Sequence, residues 1–348
     1  MKNVLLKIAV WTNDKYSPLF TDSMNLETRM KFLQEAVRKA RKWLDAEDHT
    51  GLETLKIFIA PENLLMDSRP VGSVGNACAV SFKDFQAYCQ EEKLDQMCTG
   101  VLPDLSHGIL LIPGTVLLKK PLKSPTAFKL DRHESRLRSC FAKQFTEGTE
   151  PFKTAVNQNM GRLKRKIEHI DEKVKVSGLH ENELDVQLVR NIALVFFDRQ
   201  LVFKYKKQRE YKVDKQPTDE FNKADKVEHT AIKFFPGYKE GVFHLNVGGA
   251  SISCGIEICM DHNTGQLRYT EGEKVHLQFI VSDRVTNKPE NAVVKDGGYI
   301  IHASTDKDAS GVFDHEFKST ERSAPLKLIK SGRGMLMYHQ HILKLASS

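Results

Sequence analysis

Short apolar runs of strand length recur along the chain, and this recurrence limits the fold more than any other feature. LKIAVWTN lies near the N-terminus and KIFIA precedes Pro61, while SISCGIEIC, HLQFIVS and GGYIIHAS follow at 251–259, 276–282 and 297–304. Residues 25–44 place apolar side chains at steps of three or four, the pattern of an amphipathic helix. This strand–helix–strand order predicts a layered α/β fold. Because the runs extend through most of the 348 residues, we expect one domain covering 1–348.

The middle of the chain adds further candidate elements. A helix is expected around 82–95, before the apolar segment at 108–118. NIALVFF and LVFKYKK, at about 191–207, are predicted to pair as strands across the turn-like residues 198–200. Residues 120–188 are rich in Lys and Arg and have a helical period, so we expect a basic helical insertion there. Its charges are either simply solvated, or they dock on a membrane surface, an acidic partner or the mouth of an active site.

Composition disfavours several classes of protein. Six cysteines are few for this length and none forms a CxxC pair, so we expect free thiols and a cytoplasmic location. No apolar run reaches the roughly 18 residues of a membrane helix. The formal charge of +7 is spread over a long chain without an aromatic–basic recognition motif, which makes nucleic acid an unlikely partner. His107, His262 and His302 lack the spacing of a metal site, and none is predicted.

Three of the apolar runs stop at a residue that can do chemistry. KIFIAPE ends at Glu62, LVFKYKK at Lys207 and GIEIC at Cys259. Alternation along an extended 201–207 places Lys207 on the same apolar face as Leu201, Phe203 and Tyr205. In layered α/β folds, ligand sites collect beyond the carboxyl ends of strands, so we expect these three side chains to share a pocket.

These three residue types suit acyl transfer through a covalent intermediate. A cysteine thiol needs a base or a nearby cation to attack at neutral pH, and the Glu62 carboxylate can be that base. The tetrahedral adduct carries an oxyanion, which the Lys207 ammonium and the backbone N–H after Cys259 can stabilise.

The ordered motifs resemble those of the nitrilase, or carbon–nitrogen hydrolase, superfamily. That family carries its glutamate, lysine and cysteine in segments of the forms PE, YxK and ICxD, which stand here at 61–62, 205–207 and 258–261. Supporting matches are GILLIPGTV at 108–116, Arg190-Asn191 before the YxK segment, and FPG at 235–237. The resemblance covers about residues 4–120 and 188–305.

This resemblance implies a fold, a reaction and a site. The fold would be a four-layer α-β-β-α sandwich, commonly a homodimer, with residues 120–188 as an additional helical insertion. The reaction would be hydrolysis or transfer at the C–N bond of a small amide, nitrile or carbamoyl compound, with no metal or organic cofactor. Glu62 would be the general base, Lys207 the oxyanion stabiliser and Cys259 the nucleophile.

Four further residues are candidates for substrate binding. The family often has a second glutamate between the lysine and the cysteine, and Glu228 is the one nearest upstream of FFPG. Met260 and Asp261 follow the nucleophile directly. Alternation places Glu257 on the face of Cys259, where it would raise the thiol pKa, bind a cationic substrate group or pair with the basic insertion. A buried, partnered carboxylate is the alternative for Glu257.

A second functional class remains open. The chain would then be a nitrilase-like scaffold that acts as a binding or regulatory module through its basic helical insertion, with little turnover. Retention of the glutamate, lysine and cysteine favours the enzyme.

Overall fold

The protein has a mixed α/β fold with two sheets and few helices. The computed structural model describes residues 2–12, 24–66, 80–89, 99–122, 185–208, 230–234, 237, 241–269, 274–328 and 334–345. The statements that follow refer to these residues. The two sheets face each other across a shared apolar core, and the candidate chemistry lies where strands of both sheets end.

The larger sheet contains ten strands. They are β1 (Lys2–Thr12), β2 (Glu53–Ile59), β3 (Val80–Ser81), β4 (Leu110–Ile112), β5 (Thr115–Leu122), β6 (Asp185–Phe197), β7 (Gln200–Lys206), β8 (Thr230–Phe234), β14 (Ala324–Leu328) and β15 (Met335–Leu345). Their order is β14-β15-β1-β2-β4-β6-β5-β3, and β7 and β8 both pair with β6. The parallel β1–β2 pair follows from the helical crossover between them, whereas β6 and β7 form an antiparallel hairpin.

The smaller sheet contains five strands in the order β13-β12-β11-β10-β9. They are β9 (Val242–Val247), β10 (Ala250–Ile258), β11 (Val275–Val281), β12 (Val294–Ala303) and β13 (Gly311–Phe313). β10, β11 and β12 run parallel, so their carboxyl ends lie at the same edge. Cys259 follows β10 at that edge.

Helix α1 (Leu26–Leu44) covers the outer face of the larger sheet. The side chain of Asn25 caps it by accepting the Thr28 N–H at 2.9 Å. Its buried stripe, which includes Leu33 and Val37, joins a core cluster with β1 and β2. The other helices are short: α2 (Phe82–Gln86), α3 (Val101–Leu105), α4 (Met260–Asn263) and two 3₁₀ turns at Leu267–Tyr269 and Pro289–Asn291. No helix in the described part of the chain is long and apolar enough to cross a membrane.

The two sheets pack through alternate residues of their strands. Ile8 and Ile57 from the larger sheet and Ile256 and Phe279 from the smaller one are fully buried in the same cluster. Facing β-branched and aromatic side chains of this kind fill the space between two sheets. This core fixes the carboxyl end of β2 opposite the carboxyl ends of β10 and β11.

Most of the predicted elements are present, with three differences. The helix expected at 82–95 ends at Gln86 as α2, and 90–95 lie outside the described residues. The segment 108–118 holds two strands, because Gly114 turns the chain with φ +83° between β4 and β5. Strand β5 continues to Leu122 and β6 begins at Asp185, while 123–184, most of the basic insertion, lie outside the described residues.

Candidate functional site

Glu62 lies three residues beyond β2 and is 1% exposed. Its Oε1 accepts hydrogen bonds from Lys207 Nζ and from Asn191 Nδ2, each at 2.7 Å. Its Oε2 accepts the backbone N–H of Asp283 at 3.1 Å. The Glu62 N–H donates to Ser282 O at 3.2 Å, which joins this residue to the smaller sheet. The carboxylate is therefore held by groups from both sheets.

Lys207 follows β7 directly and is 7% exposed. Its ammonium forms a buried ion pair with Glu62. Its backbone is fixed on both sides, because its N–H donates to Asn191 O at 2.9 Å and its carbonyl accepts the Gly237 N–H at 2.8 Å. A Cβ on Gly237 would lie 2.1 Å from the Lys206 carbonyl oxygen, so only glycine fits this approach.

The alternation of side chains between the two faces of β7 holds at the end of the strand but not at its start. Tyr205 is 1% exposed in the intersheet core and Lys207 is also buried. Leu201 instead packs in the cluster under α1. A register shift between Val195 and Phe196 on β6 explains the difference, because a bulge changes which side chains share a face.

Cys259 follows β10 and has a backbone conformation that is rare outside glycine, φ +49° and ψ −103°. Its N–H donates to Val281 O at 2.9 Å. The residue is 6% exposed, and the Glu62 carboxylate and the backbone of Asp283 both act on the pKa of its thiol. The positive φ breaks the strand alternation, so Cys259 and its neighbour Ile258 both join the intersheet core.

Burial and charge act on the two ionisable partners of Glu62. Burial raises the pKa of the Cys259 thiol, and the Glu62 charge raises it further against the opposing effect of Lys207. The resting sulfur is therefore a thiol. Burial by itself lowers the pKa of Lys207, but Glu62, Cys259 and Asp261 together outweigh burial and hold it above its usual value. The amine is therefore an ammonium ion.

Asp261 connects the cysteine segment to the lysine segment. It is fully buried, and its Oδ2 accepts the Tyr205 hydroxyl at 2.8 Å. Both carboxylate oxygens also accept the Gln208 N–H, at 3.0 and 3.1 Å. Tyr205 and Gln208 lie on either side of Lys207 in the chain. A residue two positions after Cys259 thus holds the backbone on both sides of Lys207.

Glu257 is the buried, partnered carboxylate that was the alternative to a substrate contact. Its oxygens accept hydrogen bonds from His262 Nδ1 at 2.9 Å, Leu267 N at 2.7 Å and Gln278 Nε2 at 2.9 Å. Cys259 has left this face of the strand. Three donors satisfy Glu257 away from the thiol.

The two remaining substrate-binding candidates are Met260, which the structure describes, and Glu228, which it does not. Met260 is partly buried, packs against the intersheet core and receives the Asn263 amide on its sulfur at 3.8 Å. Glu228 lies outside the described residues. Both assignments stay predictions.

Sequence reasoning missed two residues of the site as participants. In the sequence Asn191 is simply the second residue of an Arg-Asn pair, but in the structure its amide donates to Glu62 and its Oδ1 is buried without a hydrogen-bond partner. Asp283 follows the apolar run at 276–282, and its position at a strand end is the signal that would have identified it. Among the described residues, no group of three or more His, Cys, Asp or Glu side chains could hold a metal ion.

Comparisons with known proteins give a limited result. No protein-family model and no curated protein matches the chain. The glutamine-dependent NAD+ synthetase of Acinetobacter baumannii, solved with adenosine diphosphate, is similar over 99% of this chain and 48% of that one, with 12% identity and a TM-score of 0.41. A glutamine-dependent NAD(+) synthetase from Cytophaga hutchinsonii is similar over 97% of this chain and 43% of that one, with 10% identity and a TM-score of 0.35. The chain spans about half the length of these proteins. Similarity of this size identifies neither a family nor an activity, so the site geometry alone supports a function.

Proposed function

We propose that the chain is a thiol-dependent hydrolase that cleaves the C–N bond of a small amide, nitrile or carbamoyl compound. The observation that supports this proposal is a single buried carboxylate, Glu62, which is hydrogen-bonded to the Lys207 ammonium and whose charge acts on the Cys259 thiol. A nucleophile, a base and a fixed cation within one buried cluster suit acyl transfer. The matching architecture is a four-layer α-β-β-α sandwich of the nitrilase type.

The raised pKa of Cys259 determines how the first step proceeds. Because the resting sulfur keeps its proton, attack on the substrate carbon requires that proton to move to Glu62 as the S–C bond forms. The electron pair of the C=O or C≡N bond moves to oxygen or nitrogen. The Lys207 ammonium and the Met260 N–H stabilise the resulting anion.

The second half of the reaction uses the same groups. With an amide or carbamoyl compound, Glu62 returns the proton to the departing amine, the C–N bond breaks and a thioester remains on Cys259. With a nitrile, the first adduct is a thioimidate, and water adds to its carbon before ammonia leaves and the same thioester remains. Water then attacks the thioester carbon while Glu62 accepts one of its protons, the C–S bond breaks, and the sulfur takes that proton from Glu62 as the acid product forms. Lys207 remains charged throughout, because its raised pKa prevents it from acting as an acid near neutral pH.

A substrate screen with adduct detection tests the proposal. Small amides, carbamoyl compounds and nitriles are incubated with the protein, product is measured, and the acyl adduct is mapped by mass spectrometry of the peptides. We expect the adduct on Cys259, its loss in Cys259→Ser, and a kcat about 10²–10³ lower in Lys207→Met. Cys254→Ser is the matched control, since that thiol is buried in the same core but hydrogen-bonds to Ile252 O, and burial alone acts on its pKa. Turnover retained in Cys259→Ser, or an adduct only on another cysteine, contradicts the proposal.

A further inference from the structure

We propose that the substrate carries a positive charge near its scissile group and that the Asp283 carboxylate recognises that charge. This inference rests on the proposed function and names the substrate class of the same site. Four features support it: the position of Asp283, its free oxygen, its lack of an ion-pair partner among the described residues, and an unsatisfied acceptor on Asn191.

Asp283 lies beside the reacting groups because of the strand that precedes it. Strand β11 runs parallel to β10, and its last residue, Val281, accepts the N–H of Cys259. Two residues later the Asp283 N–H donates to Glu62 Oε2 at 3.1 Å, and the same backbone acts on the pKa of the Cys259 thiol. The charges of Glu62 and Lys207 both act on the Asp283 carboxylate, so this side chain lies beside the reacting groups.

One oxygen of the Asp283 carboxylate is fixed and the other is available. Its Oδ1 accepts the hydroxyl of Thr305 at 2.7 Å, and that hydroxyl also contacts the Asp283 carbonyl. Within the described residues, Oδ2 forms no hydrogen bond or ion pair, and the residue as a whole is partly exposed. The Thr305 contact restricts the side chain, so the available oxygen has a defined position.

The Asp283 carboxylate favours a cation although the whole chain is positive. Burial raises the pKa of Asp283 and the Glu62 charge also raises it, whereas the Thr305 hydrogen bond and the charges of Arg284 and Lys207 lower it. Among the described residues, Lys207 is bound to Glu62, and neither Lys207 nor Arg284 forms an ion pair with Asp283. A cationic substrate group supplies such a partner, whereas an anionic one is repelled by the carboxylate.

Asn191 supplies an independent observation. Its side-chain amide donates to Glu62 Oε1, which fixes the orientation of the group, and its Oδ1 has no hydrogen-bond partner although the residue is only 3% exposed. A buried acceptor without a donor is unfavourable by about 1–3 kcal/mol. A substrate N–H that donates to Asn191 Oδ1 removes this cost.

The first experiment measures charge selectivity at Cys259 without requiring turnover. 2-Aminoethyl methanethiosulfonate is cationic and 2-sulfonatoethyl methanethiosulfonate is anionic, and both react in the same way. The cysteine sulfur attacks the sulfenyl sulfur of the reagent, a disulfide forms, methanesulfinate leaves with the electron pair, and the thiol proton passes to Glu62. We expect the cation to react at least about tenfold faster than the anion, and Asp283→Asn to reduce this ratio about tenfold.

Two controls separate charge recognition from structural damage. Asp308→Asn removes an exposed carboxylate outside the site and should leave the ratio unchanged. Asp283→Glu keeps the charge and should retain a preference for the cation. In the unaltered protein, raising NaCl from about 20 mM to about 500 mM should lower the ratio through screening, which tests the inference even if the Asp283 variants fail to fold.

The second experiment uses substrates that differ only in charge. 4-Aminobutanamide and pentanamide have nearly the same shape, and we expect kcat/KM to be at least about tenfold higher for the cationic amide, with Asp283→Asn removing the difference. A Cys259 that is labelled rapidly but with a ratio insensitive to Asp283 and to salt overturns this inference and leaves the proposed function standing. A Cys259 that reacts no faster than the other thiols with either reagent contradicts the proposed function itself.

Discussion

Removing the Asp261 charge should make the position of Lys207 less well fixed, although neither Lys207 nor Glu62 is substituted. In Asp261→Asn one carboxylate oxygen becomes an NH₂ group, which donates hydrogen bonds at a position where the oxygen accepted them. The Tyr205 hydroxyl and the Gln208 N–H both depend on those oxygens, at 2.8 to 3.1 Å. The backbone on both sides of Lys207 therefore loses part of its support.

The expected size of the effect follows from these contacts. Hydrogen bonds to a charged group contribute about 1.5–3 kcal/mol each, and asparagine retains one good acceptor, so we expect the free energy of unfolding to fall by about 3 kcal/mol. Tyr205→Phe removes only the hydroxyl contact and should cost about 1.5–2 kcal/mol. Misplacement of the ammonium should lower kcat by up to about 10²-fold, the size of an oxyanion contact.

The assay is urea unfolding at pH 7, together with amide hydrolysis for each variant. The two single variants and the Tyr205→Phe/Asp261→Asn double variant form a cycle, and shared use of one hydrogen bond predicts that the double variant loses less than the sum. An Asp261→Asn protein within about 0.5 kcal/mol of the original, or additive effects in the cycle, would refute the reasoning.

Three further predictions concern the surroundings of the site. Burial, followed by the effect of His262, lowers the pKa of His302 to about 3. Below pH 6.5 this histidine is therefore protonated in the unfolded chain but stays neutral in the folded protein. Its contribution to the free energy of unfolding is complete above pH 6.5 and is lost as the pH falls toward 3. His302→Gln should therefore reduce the loss of unfolding free energy between pH 7 and pH 5 by about 2 kcal/mol in urea titrations, and an unchanged loss would contradict the assignment. Gly114→Ala places a Cβ 2.3 Å from the Pro61 carbonyl oxygen, so it should lower the free energy of unfolding by about 3 kcal/mol in thermal unfolding and slow alkylation of the nucleophile. Gly51→Ala, also at positive φ but in open space, should lower that free energy by only about 1 kcal/mol. Equal losses would show that the close approach at Gly114 is unimportant. Glu257→Gln should lower unfolding free energy by about 2–3 kcal/mol and change the alkylation rate of the nucleophile less than about threefold, and a raised KM without lost stability would instead support a substrate contact.

Local periodicity predicted much of the fold. The first strand, the helix at 25–44, the β6–β7 hairpin and strands β10 to β12 are present, because alternation and three-to-four spacing report which face of an element is buried. The helix predicted at 82–95 ends already at Gln86. No strand was predicted after residue 304, yet β15 pairs with β1 over eleven residues. Its sequence, MLMYHQHILKL, mixes histidines with apolar residues, and only pairing across the whole length of the chain makes it a strand.

The sequence by itself determined which three residues are candidates for chemistry, because a strand end, a residue type and an order along the chain are all local properties. Tertiary structure decided which groups those residues meet. Cys259 leaves the alternation of β10 through a positive φ that no residue pattern reveals, and this separates it from Glu257. Asn191 and Asp283 reach Glu62 only because two sheets pack with their strand ends aligned. Hydrogen-bond partners far apart in sequence are fixed by packing, and packing is a property of the whole fold.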